Sequence, residues 1–251
     1  MCAAYGDDLV HIHQSGHNTL ALAAARTLLE ALARDGVTKG RIVDLGCGSG
    51  ELLAEVTEAG FKGYGIDASP SFTKRAKKTA PKAKFETAFV HEAKIPDAVA
   101  VTAIGEVFNY VPAGREKPPK LKPVFRRVAK ALPQGGHFLF DVIMATGTPS
   151  DLSGRLWRAS DDGEQVPGED WAVMVDAHED KEKQLLTRDI TSFRARGKGY
   201  RRTRERHIQY LYRKEELVPL LEEAGFRVTM LKSYGTHPLL PRRLAFHAVT
   251  L

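Results

Sequence analysis

Cysteine is scarce in this chain, with only Cys2 and Cys47 among 251 residues. Two thiols so far apart make neither a disulfide framework nor a metal-ligand spacing, which excludes stapled small domains and zinc modules. Long apolar runs are also missing. No stretch approaches the roughly 18 residues that a membrane-spanning helix needs. The N-terminus lacks the basic-then-apolar order of a secretory leader. These absences predict a cytoplasmic protein with no membrane partner. Internal repeats and low-complexity tracts are absent too. Hydrophobic residues make up 43% and charged residues 27% of the chain, as in an ordinary globular protein. Its length can bury a sizeable core, as one large domain or two small ones.

What the sequence does contain is concentrated in Val43-Asp44-Leu45-Gly46-Cys47-Gly48-Ser49-Gly50. An apolar run ends in an acid and then in alternating glycines. From Ser49 the spacing turns helical, with Leu52, Leu53 and Val56 apolar and Gly60 as a stop. The pattern is strand, tight turn, helix start. Glycines there permit backbone conformations and ligand approach that a Cβ would block, and the helix-start N–H groups suit an electron-rich ligand group. A dinucleotide fingerprint needs Gly-x-Gly-x-x-Gly, whereas here the third glycine comes one residue early and Glu51 follows it. Asp44 would also repel a pyrophosphate and attract a cation.

A second signal is Gly63-Tyr64-Gly65-Ile66-Asp67, a strand ending in an acid 23 residues after Asp44. An acid there can accept hydrogen bonds from both hydroxyls of a ribose. Ser69-Pro70 then reads as an N-cap followed by proline at the first helical position.

Together these residues resemble motif I and the following acid of the class I S-adenosylmethionine-dependent methyltransferases. The resemblance covers about residues 40 to 145 well and the tail loosely. It implies an α/β, Rossmann-like, seven-stranded and mostly parallel sheet with helices on both faces, in the order 3-2-1-4-5-7-6. It implies S-adenosylmethionine as cofactor, S-adenosylhomocysteine as product, and no metal. The cofactor residues it implies are Asp44, Gly46, Cys47 and Gly48 in the turn, Asp67 and Ala68 after the second strand, and Gly105 and Glu106 after the fourth. Ala88-Phe89 stands where many relatives carry an acid that meets the adenine amino group. Here only backbone polar groups and the Phe89 ring are on offer.

Strands are expected at 41–45, 62–66, 83–87, 98–104 and 136–143, with helices at about 19–33 and 121–132. The tail predicts a helix at 215–224, although Pro219 must lie near its start or kink it, then strands at 226–231 and 244–249. Residues 145 to 211 break the alternation. Met144 to Gly168 reads as a loop or lid, and 171–176, 184–193 and 200–212 as three antiparallel strands inserted after strand five. The organisation expected is an arm and helix over the cofactor (1–40), a methyltransferase core (41–144 and 212–251), and an insertion covering the acceptor site (145–211).

Methyl transfer from a sulfonium needs alignment and exclusion of water more than it needs chemistry from the protein. A base is required only for a protonated acceptor, so catalytic residues leave no fixed motif. The candidates are Glu106 and Tyr110, with Asn109 between them, then His13 in the histidine-rich arm beside His11 and His17, and His207 in the insertion. In related small-molecule methyltransferases an N-terminal aromatic segment closes over the cofactor, which places Tyr5 at the cofactor's carboxylate. Metal binding by the arm histidines lacks a completing acid or cysteine.

Seven basic residues fall between Arg194 and Arg206, within a net charge of +6. One reading is a nucleic-acid surface. The other is a hairpin turning at Arg196-Gly197-Lys198-Gly199 with one solvated face and Asp189 opposite Arg206. No aromatic platform accompanies the charge, which favours the hairpin. The function expected is N- or O-methylation of a small metabolite by a monomer or homodimer. The alternatives are a tRNA or rRNA methyltransferase using the 194–206 hairpin and a cofactor-binding protein without transferase activity.

Overall fold

Alternation of buried apolar residues along the strands builds two layers of helix around one sheet. The computed structural model describes residues 5–16, 18–112, 120–145, 154–159 and 171–251, without the side chains of 13–16, 18 and 155–159. Its chain order begins with α1 (Asp7–Gly16), α2 (Asn18–Arg34), β1 (Arg41–Leu45), α3 (Glu51–Glu58), β2 (Lys62–Asp67), α4 (Pro70–Thr79), β3 (Lys84–Thr87) and β4 (Ala100–Ala103). A 3-10 turn at Val107–Asn109 leads to α5 (Leu121–Ala131) and β5 (His137–Ile143). The insertion carries β6 (Gly154–Ala159), β7 (Trp171–Asp180), β8 (Leu185–Arg196) and β9 (Gly199–Tyr210). The tail carries α6 (Lys214–Glu222), β10 (Phe226–Leu231), β11 (Ser233–Tyr234), β12 (His237–Pro238) and β13 (Arg243–Thr250).

The main sheet runs β3-β2-β1-β4-β5-β13-β10, with β13 antiparallel to both neighbours. This is the order the motif resemblance implied. Period-two alternation sends Val43, Leu45, Phe138 and Phe140 to one face, against α5 and α6. Ile42 and Leu139 face the other way, against α2 and α3. Parallel strands feeding helices on both faces leave their carboxyl ends along one open edge, where ligands bind in such sheets.

Two details go beyond the expectations. The arm and the helix expected within residues 1–40 have different partners: α2 buries Ala24, Ala25, Leu28 and Leu32 in the main core. Among the described residues of that stretch, the segment from Tyr5 through α1 reaches the inserted sheet, where Leu9 and Ile12 pack on Trp171, Val173 and Ile190. The insertion also has four strands, β6-β7-β8-β9, because Gly154–Ala159 pairs with β7. The glycines, prolines and acids around it concealed that short strand. The rest of the expected lid, 146–153 and 160–170, lies outside the described residues. Pro219 sits within α6, past its first turn. No helix among the described residues is long and apolar enough to cross a membrane.

Candidate active site

The glycine turn and the end of β2 form one hydrogen-bonded unit. Asp67 accepts the N–H of Gly48 at 3.0 Å with one oxygen and the N–H of Ser69 at 2.8 Å with the other. A carboxylate has about four lone-pair sites, so two remain for incoming hydroxyls. Ser69 caps α4 through Phe72 N–H. Gly46 has φ 69°, and a Cβ there would lie 2.6 Å from Val107. Gly48 (φ 51°) and Gly105 (φ 92°) also require left-handed backbone, yet a Cβ on either would meet nothing within 4 Å. Those two turns therefore bound open space at the strand edge.

Burial raises Asp67 to about 6 in spite of its two amide bonds. It raises Asp44 to about 7, although Thr102 Oγ1 donates to Asp44 at 2.7 Å. Two adjacent buried carboxyls held above their ordinary range favour a cation as neighbour and disfavour a phosphate. That charge pattern and the open space at Gly48 fit S-adenosylmethionine. Cys47 is buried and its thiol is pushed up by that burial, and its Sγ would lie 2.7 Å from a Cβ on Gly65, so it acts as packing. Ala88 donates its N–H to the Asp67 carbonyl at 3.0 Å, and Phe89 beside it is 40% exposed. Ala68, half-buried, lies between Asp67 and Ser69.

Beyond the fourth strand the site acquires opposite charges. Asp141, within β5, accepts the N–H groups of Gly105 and Glu106, both at 3.0 Å, and the hydroxyl of Tyr234. These bonds hold the turn in which Glu106 itself adopts φ 68°. Glu106 meets Arg243 on β13, Arg188 on β8 at 3.1 Å, and Gln209 on β9 at 2.8 Å. Burial alone would raise Glu106, but Arg243, Arg188 and the Gln209 bond outweigh it and hold it at about 2. Asn109 is spent on backbone, donating to the carbonyls of Ile143 and Tyr210 and accepting from Ile143 N–H.

The arm completes the enclosure. Tyr5 and Tyr110 share a hydroxyl–hydroxyl bond of 2.6 Å, and burial raises Tyr5 to about 12. Tyr5 lies 5.0 Å from Phe72 and 4.8 Å from His207, centroid to centroid. Tyr110 lies 5.7 Å from His207. Segments about 100 residues apart in sequence thus meet in one cluster. His11 is half-buried in α1, while the side chain of His13 and all of His17 lie outside the described residues. Among those residues no group of three or more His, Cys, Asp or Glu is placed to hold a metal ion.

Sequence reasoning missed Arg188, Arg243, Glu205 and Gln209. They lie on strands outside the motif region: docking of the inserted sheet brings in Arg188, Glu205 and Gln209, and pairing of β13 with β5 brings in Arg243. Asp141 falls within the strand expected at 136–143, and nothing in the sequence showed its partners.

A family model described as "Methyltransferase domain" matches residues 17–231. The chain belongs to that family. It is an S-adenosylmethionine-dependent methyltransferase with the class I fold. It is 27% identical over 195 residues to YqeM of Bacillus subtilis (strain 168), covering 76% of this chain and 74% of the relative. That relative bears the name "Putative methyltransferase YqeM", which states no acceptor. The sugar N-methyltransferase KedS8 from Streptoalloteichus sp ATCC 53650 superimposes with a TM-score of 0.75 at 20% identity, over 100% of this chain and 97% of its own. CalS10, an amino pentose methyltransferase from Micromonospora echinaspora solved with S-adenosylmethionine bound, gives 0.73 at 15%, over all of both chains.

Proposed function

We propose that this methyltransferase acts on a nitrogen or oxygen of a small metabolite, held between the arm and the inserted sheet. The observation that carries the reading is the convergence of Tyr5, Tyr110 and His207 against Glu106 at the edge that bears Asp67. A polar cluster shielded at the strand edge suits a small molecule, because displacement at a sulfonium gains from excluding water. The names of KedS8 and CalS10 point to an amino sugar as one acceptor class worth testing. When bound, S-adenosylmethionine supplies a methyl already activated for direct transfer.

The chain's residues divide the work. Asp67 takes the ribose hydroxyls, Asp44 and the open turn at Gly46–Gly48 face the cofactor's positive end, and Phe89 borders the adenine. The arginine pair leaves Glu106 a permanent carboxylate, which suits electrostatic positioning and not proton transfer. His207 is the base, Tyr110 orients the acceptor, and Tyr5, bonded to Tyr110, faces the cofactor's carboxylate.

The test is transfer of a labelled methyl to a panel of small amines and alcohols. His207→Gln should lower the rate for an accepted amine by about 10²- to 10⁴-fold and leave S-adenosylhomocysteine affinity within about threefold. Equal loss of cofactor binding would make His207 structural.

A further inference from the structure

Glu205 lies two residues before His207 on the same face of β9, and its carboxylate gathers three donors. One oxygen accepts the N–H of Tyr5 at 2.9 Å and stands 3.2 Å from His207 Nε2. The other accepts the N–H of Gly6 at 3.0 Å. An ionised carboxylate only accepts hydrogen bonds, so the imidazole nitrogen facing it carries the hydrogen. In the neutral ring the lone pair then belongs to Nδ1, which has no hydrogen-bond partner among the described residues.

The same carboxylate is one of three anchors on an uncommon backbone in the arm. Tyr5 has φ 69°, a conformation that a bulky residue keeps only where its surroundings dictate it. Its N–H is held by Glu205, its carbonyl accepts from Ser69 Oγ, and its hydroxyl bonds Tyr110. Other charges near the ring are already committed. Arg188, paired with His207 across β8 and β9, is bonded to Glu106. Burial pushes the Glu205 carboxyl up, but the His207 bond and the arm amides bring it below the usual range.

We infer that Glu205 is a positioning residue that couples seating of the N-terminal arm to the tautomer of His207, leaving Nδ1 as the proton acceptor. The inference rests on the reading above only for what the base is used for. In that use the acceptor's N–H or O–H bond breaks and its proton goes to Nδ1. The freed electron pair forms the bond to the methyl carbon, and the pair of the broken carbon–sulfur bond stays on sulfur as a thioether. The imidazolium keeps its Nε2–H on Glu205.

The experiment is ¹⁵N-histidine NMR on the full chain at about pH 8, where a histidine ring is ordinarily neutral. His207→Gln assigns the resonance, and hydrogen exchange reads the Tyr5 and Gly6 amides. The wild type should show a single tautomer with the hydrogen on Nε2. An amide has one acceptor oxygen for three donors, so Glu205→Gln should mix the tautomers or speed arm exchange by about tenfold or more. Glu205→Asp, one methylene shorter, should do the same if the amide variant fails to fold. A wild-type ring protonated on Nδ1 overturns the inference. So does a folded variant with tautomer and arm exchange both unchanged, which a merely structural Glu205 would give. S-adenosylhomocysteine is added in parallel, and its failure to bind would count against the cofactor reading while the tautomer stays readable.

Discussion

Asp67 holds the backbone N–H of Gly48 at 3.0 Å, so the acid at the end of one strand fixes the glycine turn after its neighbour. Asp67→Ala removes the acceptor of two amides and, on the function proposed above, of the ribose hydroxyls. A charge-assisted hydrogen bond contributes about 1.5–3 kcal/mol. Calorimetric affinity for S-adenosylhomocysteine should therefore fall by roughly tenfold to a hundredfold. Wild-type protein should gain about 2.7 kcal/mol of stability at ligand 100 times its dissociation constant, and NAD should give none. Unchanged affinity would reduce Asp67 to a backbone clamp.

The pH dependence follows from the same carboxyls. Burial raises Asp67 to about 6 and Asp44 to about 7, above the unfolded value of about 3.9. Their contribution to stability is complete below the unfolded value and is lost as pH rises through about 6 and 7. A bound cation favours the ionised forms. Cofactor affinity should rise from about pH 5 to 8, with protons released on binding. Calorimetry in buffers of different ionisation enthalpy reads that release directly, and Asp44→Asn should reduce it. Thermal stability alone is a poorer gauge. Burial lowers His247 to about 4, and its contribution is lost as pH falls below the unfolded value.

How much of this was legible depended on sequence distance. Asp44, the glycine turn and Asp67 form a local strand–turn–helix unit whose physics is written in about 25 residues. The hairpin was legible too, since Asp189 and Arg206 pair across β8 and β9 as the turn position required. The charge cluster around Glu106 was not, because Arg188 and Arg243 lie 82 and 137 residues away. Periodicity shows which face of a strand is buried, but not which other strand that face meets. For α1, Asp8 was silent in the sequence. In the fold it is buried beneath Arg201, which it meets in two bonds of 2.5 Å.

Glu106→Gln should show how far that cluster holds the inserted sheet to the core. The amide keeps the shape and loses the charge between two arginines, of which Arg243 is 12% exposed and Arg188 28%. Removing one partner from a buried ion pair costs about 3–5 kcal/mol, and less where water reaches one arginine. A loss of about 3 kcal/mol would lower the melting temperature by roughly 10 °C. Glu106 is held at about 2, so its contribution is present above the unfolded value and disappears as pH falls through about 2. The variant should therefore show a flatter acid limb between about pH 4 and 2. Identical acid limbs would mean that the arginines are satisfied elsewhere.

The basic run offers the sharpest separation between a small acceptor and a nucleic acid. Arg194, Arg196 and Arg201 converge on Asp8, and Arg206 pairs with Asp189. Arg202 and Arg204 point to the exposed face of β9, without a carboxylate partner among the described residues. With Lys198 at the turn, about three cations remain for phosphates. Single-stranded RNA neutralised at three phosphates should show a log–log salt slope of about −2. Binding should be weak at physiological salt and indifferent to sequence. Arg202→Glu with Arg204→Glu should abolish it while leaving S-adenosylhomocysteine affinity and methyl transfer to small amines intact. Nanomolar binding to a tRNA or rRNA fragment, with a slope steeper than about −5 and loss of RNA methylation in the double variant, would instead make the inserted sheet a nucleic-acid platform. The three arginines on Asp8 would then have to leave it, and α1 would lift from the sheet.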